Sequence, residues 1–271
     1  MVEITDKEFK KLADYIQSNY GIFLKTEKQS LLNARLATVV EQHNFKSFSE
    51  YYDYVVSDAS GLATSILIDK VTTNYTYFMR EPDHFKYISE VALPFFERTV
   101  SDYDLRVWSA GCSTGEESYT IAIILEEYFK LKKKWDKKIL ATDISTQVLN
   151  VAREGVYENR QIEMLPPMWK LNYFDKPGND KYAVNDSLKS EVIFRRHNLV
   201  QNFSFQFRRK FHIIMCRNVM IYFDKKTRDT LVNNFYNITE PGGYLFIGHT
   251  ESLDRDATNY RYVAPAIYKK V

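Results

Sequence analysis

Apolar residues recur at helical spacing along the first seventy positions, and the period changes after Arg106. Phe9, Leu12, Ala13 and Ile16 predict a helix over Thr5–Tyr20, and Thr5 with Glu8 forms a capping box at its start. Leu31, Leu32, Leu36, Val39 and Val40 predict a second helix over Lys28–His43. A third is expected over Ser47–Val56 and a short fourth over Leu62–Asp69, which together make residues 1–73 an all-helical N-terminal domain.

Short apolar runs then alternate with helical stretches. Val107–Ala110 ends in Gly111-Cys112-Ser113-Thr114-Gly115 and is followed by the helical run Glu116–Phe129. A second strand over Lys138–Thr142 ends at Asp143, ahead of a helix through Val148–Arg153. Phe211–Met215 is a later strand before Cys216-Arg217-Asn218. Pro241-Gly242-Gly243 marks a turn, Tyr244–Gly248 a further buried strand, and Tyr260–Lys269 a last one. This alternation predicts an α/β fold, with a mostly parallel sheet covered by helices over residues 74–271. Between Trp169 and His197, the segments Lys170–Phe174, Tyr182–Asn185 and Val192–Arg195 read as three strands of a small antiparallel insert, about 169–197.

Composition narrows the function classes. The 271 residues carry a net charge of only +2 with 27% charged side chains, which excludes a disordered chain and gives no basic footprint for nucleic acid. Cys112 and Cys216 stand alone, without CxxC or Cys/His spacing, so neither a disulfide framework nor a zinc site is expected. No metal is expected elsewhere, because the acidic residues near the first turn lack His or Cys partners at ligand spacing. No apolar run reaches the roughly 18 residues that a membrane helix needs, so no membrane insertion and a cytoplasmic location are expected.

The turn after Val107–Ala110 carries the first chemistry. Gly111 and Gly115, where a strand feeds a helix, would let backbone amides approach a ligand, as suits an adenosine-type cofactor. A GxGxxG fingerprint is absent. Glu116 and Glu117 at the helix start would repel a pyrophosphate, which disfavours a dinucleotide, whereas a sulfonium methyl donor tolerates an acidic site. Asp143 stands where an acidic group can accept from ribose hydroxyls, or alternatively where it can cap the next helix.

Thr72-Thr73-Asn74-Tyr75-Thr76-Tyr77-Phe78-Met79-Arg80-Glu81 resembles the signature of the CheR-type chemotaxis receptor glutamate methyltransferases. The resemblance continues through Val107–Glu117, Ala141–Ile144, His197-Asn198-Leu199, Cys216–Asp224 and Gly248-His249-Thr250-Glu251, and so covers essentially the whole chain. It implies a helical domain joined to a Rossmann-like class I methyltransferase sheet with a small β-subdomain. It also implies S-adenosylmethionine as methyl donor, S-adenosylhomocysteine as product, and the cytoplasmic domain of chemotaxis receptors as partner.

Carried over by position, the resemblance assigns Asn74, Thr76, Arg80 and Glu116 to the methionyl part and Asp143 to the ribose. Asn198 with Leu199 would take the adenine, while Ala110 and Gly111 form the turn beside the cofactor and Arg217 and Asn218 flank it. Arg80 and Tyr222 are the candidates for orienting the acceptor carboxylate. A glutamate is ionised at neutral pH, so no general base is expected.

Lys25, Lys28 and Arg35 are candidates for facing an acidic receptor segment, or else form an ordinary solvated face. In some relatives a glycine-rich turn in the β-subdomain grips a receptor tail. Here Lys176-Pro177-Gly178-Asn179-Asp180-Lys181 has one glycine, so direct docking is expected instead. An NAD-dependent oxidoreductase, a cofactor-binding signalling protein, and a methyltransferase acting on a small molecule or RNA remain the competing readings.

Overall fold

The computed structural model describes residues 2–72, 74–132, 135–178, 180–201 and 207–271. The chain divides into two compact units, one of residues 1–73 with Ile221–Thr227, the other of Asn74–Met220 with Arg228–Val271. Thr73, in the signature segment, lies outside the described residues.

The first unit is built on four helices, α1 (Asp6–Tyr20), α2 (Gln29–Gln42), α3 (Phe48–Ser57) and α4 (Leu62–Val71). The capping box forms as expected. Thr5 Oγ1 accepts from Glu8 N at 3.3 Å, and Glu8 Oε2 accepts from Thr5 N at 3.0 Å. Phe9, Leu12 and Ile16 of α1 are buried with Leu32, Leu36 and Val40 of α2 in the apolar interior of this unit. Ile22 and Phe223 form a β-bridge, backed by a Phe23 N to Tyr222 O hydrogen bond of 2.8 Å.

The second unit opens with α5 (Pro82–Tyr87), a π-helical turn Ile88–Ala92, and α6 (Leu93–Thr99). Then follow β1 (Val107–Ala110), α7 (Glu116–Phe129), β2 (Ile139–Asp143), α8 (Thr146–Glu154), β3 (Val156–Glu158) and α9 (Pro167–Tyr173). β4 (Phe174–Gly178), β5 (Lys181–Val184), α10 (Asp186–Lys189), β6 (Val192–Arg196) and β7 (Phe211–Cys216) come next. The chain ends with α11 (Lys225–Ile238), β8 (Thr239–Ile247), β9 (Arg261–Ala264) and β10 (Ile267–Lys269).

Seven strands form one sheet in the order β6-β2-β1-β7-β8-β10-β9, parallel from β6 to β8 and antiparallel at β10 and β9. Strand order reverses beside β1, which has β2 on one side and β7 on the other. In open α/β sheets ligands bind at this switch point, outside the carboxyl ends of the strands. β1 and β7 are buried along their whole length, as expected of a sheet covered on both faces.

The small antiparallel sheet exists, with different strands from those expected. Its order is β3-β5-β4. Lys170–Tyr173 is helical because Pro166-Pro167 places a proline at the first turn of α9. Asn185 caps α10 instead of closing a hairpin, its side chain accepting from Leu188 N at 2.9 Å. Val192–Arg196 therefore becomes the edge strand of the main sheet, parallel to β2, and Val156–Glu158 takes its place in the small one. Pro241-Gly242-Gly243 lies inside β8 as an irregularity in its pairing with β7, not in a turn before it.

Candidate functional site

The carboxyl ends of β1, β2 and β7 lie side by side in register, with Ala110 opposite Thr142 and Ser109 opposite Met215. The turn after β1 closes on β2, since the amides of Gly111 and Cys112 both donate to Thr142 O, at 2.8 and 2.9 Å. Ala110 is buried within β1. Gly111 and Gly115 both have positive φ, +88° and +97°. A Cβ on Gly111 would stand 2.3 Å from Val219, and one on Gly115 would stand 2.9 Å from Ala152 Cβ. Both positions thus need glycine for backbone shape and close protein packing.

Asp143 ends β2 and braces this turn, its Oδ2 accepting from Ser113 N at 2.9 Å and its Oδ1 from Ser145 N at 3.0 Å. The cap of α8 is Ser145, which accepts from Val148 N, so capping does not account for Asp143. His197 N donates to Asp143 O at 3.0 Å, which brings Asn198 and the buried Leu199 to the end of the neighbouring strand β6.

The signature segment 74–81 is tied to the same edge. Ser113 Oγ donates to Asn74 O at 2.9 Å, Met79 N reaches Thr120 of α7 at 3.4 Å, and Phe78 is fully buried against Tyr157 and Phe174. Thr76 lies between these anchors, half-buried, and Arg80 donates from Nη1 to Tyr75 O at 2.9 Å. Asn74, Gly111, Ser113 and Asp143 are thus joined at the carboxyl ends of β1 and β2, and the carbonyl of Arg80 is joined to Arg217 after β7.

The two glutamates that begin α7 differ in their partners. Glu116 is 1% exposed and accepts from Thr114 Oγ1 at 2.7 Å and Gln161 Nε2 at 3.4 Å, and burial raises its carboxyl above the ordinary carboxylate range. Glu117 accepts from Ser109 Oγ at 2.7 Å and pairs with Arg217 at 3.0 Å. Burial raises the Glu117 carboxyl as well, with Arg217 opposing it.

Arg217, whose side chain is 2% exposed, also pairs with Glu81 at 3.1 Å. Burial works to raise the Glu81 carboxyl, but Arg217 and the His249 amide outweigh it and leave it below the usual value. Glu81, His84 and His249 bring ligand-type atoms within 4.8 Å of one another among the described residues. Because the Arg217 guanidinium already occupies Glu81 and opposes a cation beside it, the trio is best described as part of the ion-pair cluster.

Tyr222, the other expected orienting residue, belongs to the helical unit with Ile221–Thr227. It lines a groove of about 510 Å³ in that unit, along with Phe23, Lys25, Lys28 and Leu31. Arg35 also lines it, but its Nη1 donates to the carbonyls of Lys70, Val71 and Thr72 at 3.0–3.3 Å, so it serves the C-terminal end of α4. Asn179, in the turn expected to bear on tail binding, lies outside the described residues.

Sequence reasoning gave no role to Glu81, Ser113 or Glu251. Glu251 Oε2 accepts from Gly248 N at 2.6 Å and Asn218 N at 3.0 Å, which fixes the end of β8 to the end of β7. The only available signal was that all three fall within motifs already singled out.

The donor set suits an adenosylated sulfonium amino acid. It offers carboxylates and amides at the switch point, a guanidinium at Arg80 that suits a carboxylate, and no glycine-rich phosphate cradle.

Comparison with known proteins agrees. Residues 74–268 match the family model described as CheR methyltransferase, SAM binding domain, and residues 7–72 match CheR methyltransferase, all-alpha domain. The chain is similar to a chemotaxis protein methyltransferase of Borreliella burgdorferi, 41% identical over 99% of this chain and 96% of the relative. It is also similar to a probable chemotaxis protein methyltransferase of Rhizobium etli, 34% identical over 94% and 99%. A third relative, chemotaxis protein methyltransferase 2 of Vibrio cholerae, is 34% identical over 94% and 88%.

Proposed function

The chain belongs to the CheR methyltransferase family and is an S-adenosylmethionine-dependent enzyme, and on that premise we propose that it esterifies glutamate side chains on the cytoplasmic domain of chemotaxis receptors, working in the cytoplasm. The observation that carries this reading is the tie between the 74–81 segment and the β1 turn, through Ser113 and Asn74. It supports setting the segment that carries Arg80 beside the strand ends proposed to hold the donor.

S-adenosylmethionine supplies an electrophilic methyl group on a sulfonium. Asp143 takes the ribose hydroxyls, Asn198 and Leu199 the adenine edge and face, and Asn74, Thr76 and Glu116 the methionyl group. Arg217 and Asn218, in this reading, flank the donor from the end of β7. The acceptor glutamate, with a reference pKa of about 4.3, is ionised at neutral pH, so the protein has no proton to remove. Arg80 orients the acceptor carboxylate and displaces water from it, which is where the rate gain arises, and Tyr222 of the helical unit is the second candidate for that role. Bound there, the donor would supply the methyl group of the ester and would leave as S-adenosylhomocysteine.

Lys25 and Lys28, on the groove of the helical unit, support a site for an acidic receptor segment that docks without a tail peptide. Labelled methyl transfer to a receptor cytoplasmic fragment tests the whole reading. The expected result is transfer from the wild-type protein, independent of the receptor tail, and loss in Arg80→Ala and Tyr222→Phe. Full activity in Arg80→Ala would remove the role assigned to that residue.

A further inference from the structure

The Met79–Glu81 turn is held in a conformation that its own residues disfavour. Met79 and Glu81 both have left-handed backbone, with φ of 61° and 57°, and neither is glycine. Such a turn persists where surrounding contacts over-determine it, and here the contacts converge on one carboxylate. Glu81 Oε2 accepts from Arg217 Nε at 3.3 Å and Nη2 at 3.1 Å, while Oε1 accepts from Asn218 Nδ2 at 3.4 Å and His249 N at 3.3 Å. The donors come from the ends of β7 and β8, which are paired through Cys216 and Ile247. Arg217 also donates to the carbonyl of Arg80 and is gripped from its far side by Glu117. Pro82, at the first turn of α5, restricts the backbone directly after Glu81.

We propose that Glu81 is a positioning residue for methyl transfer: its carboxylate fastens the Met79–Glu81 turn to the ends of β7 and β8 and so sets the placement of Arg80. The proposal rests on the role given above to Arg80. A counter-ion for Arg217 would need only the two guanidinium contacts. The further bonds from Asn218 and the His249 amide make Glu81 a junction of three chain segments.

The test combines two readouts on Glu81→Gln, which keeps the side-chain shape and removes the charge. In a double-mutant cycle, kcat/KM for methyl transfer is measured for wild type, Glu81→Gln, Arg80→Ala and the double variant. If Glu81 acts through Arg80, its substitution costs about tenfold in the wild-type background and less than about twofold in Arg80→Ala. An equal loss in both backgrounds overturns the proposal.

Peptide-level amide exchange is the second readout. It should rise over residues 75–81 and at the ends of β7 and β8 while the rest of the chain keeps its wild-type exchange. Unchanged exchange, or a uniform rise across the chain, also overturns it. Full activity in Arg80→Ala alone would instead remove the role of Arg80, and the exchange result would still decide whether Glu81 holds the turn.

Discussion

The two units differ in whether they bury charge. Among the described residues the helical unit buries no more polar side chains than Thr64 and Ser65, while the sheet unit buries Glu116, Arg217, His84 and His212. Ion pairs of the helical unit lie at the surface, as Lys11 with Asp53 does at 3.1 Å, with side chains 46% and 72% exposed. The sheet unit has surface pairs too, such as Arg160 with Glu158, but two of its pairs converge on an arginine that is 2% exposed. Surface pairs add little to stability, and a buried pair often adds less than an apolar substitute would, although breaking one is costly. The contrast separates a unit whose ion pair is solvated from a unit that adds a buried charge cluster at the ends of its strands.

The largest expected effect attacks the buried side of that contrast. Arg217→Leu leaves Glu81 and Glu117 without their shared partner, so chemical denaturation should find the sheet unit about 3–5 kcal/mol less stable. A loss below about 1 kcal/mol would mean that the cluster is as solvated as the surface pairs.

Next comes catalysis. Arg80→Ala removes a charge-assisted contact of about 1.5–3 kcal/mol, so turnover should fall roughly 10- to 100-fold. Asp143→Ala should act more on donor affinity and less on turnover, which steady-state kinetics with varied donor would separate.

Acid should act on the sheet unit too. Burial, with help from Arg217 at His84 and from Arg106 at His212, pulls both imidazoles down to about 4. The unfolded chain therefore binds more protons than the folded one between pH 6.5 and 4, and stability must fall as pH is lowered through that window. A loss of about 3 kcal/mol between pH 6.5 and 5 is expected from the two together, and Glu81, held as a carboxylate, adds a further loss only at lower pH. Thermal unfolding across this range would read it.

The smallest effect belongs to the helical unit, where Thr5→Ala should cost about 1 kcal/mol through the lost cap and leave methyl transfer unchanged. Lys28→Glu sharpens the contrast from the other side. It should lower receptor methylation with little change in stability, whereas Arg35→Glu should also loosen α4, because Arg35 donates to its last carbonyls.

Where local periodicity and partners coincide, the fold was legible. Helix α7 spans the expected Glu116–Phe129, α1 starts at its Thr5 cap, and β1 ends at Ala110 as read. The errors fall where partners are remote. The pattern at Val192–Arg196 is equally consistent with a hairpin and with an edge strand, and only pairing with β2 decides. A proline pair turned an apolar run into α9, and three residues at 156–158 were too short to register as a strand.

The site divides in the same way. Motif residues such as Asp143 and Arg80 stand out because their types suit a ribose and a carboxylate. Glu81 does not, since neither its positive φ nor its bonds to segments more than 130 residues away can be read from spacing.

The central claim is that the acceptor is a glutamate carboxylate on a receptor. The most direct measurement incubates the protein with a receptor cytoplasmic fragment and a donor carrying a deuterated methyl group, then maps the product by mass spectrometry before and after mild alkali. The account predicts a mass shift on glutamate side chains that alkali removes as methanol. An alkali-stable shift on another residue type, or label found only on a small molecule or RNA, would contradict it.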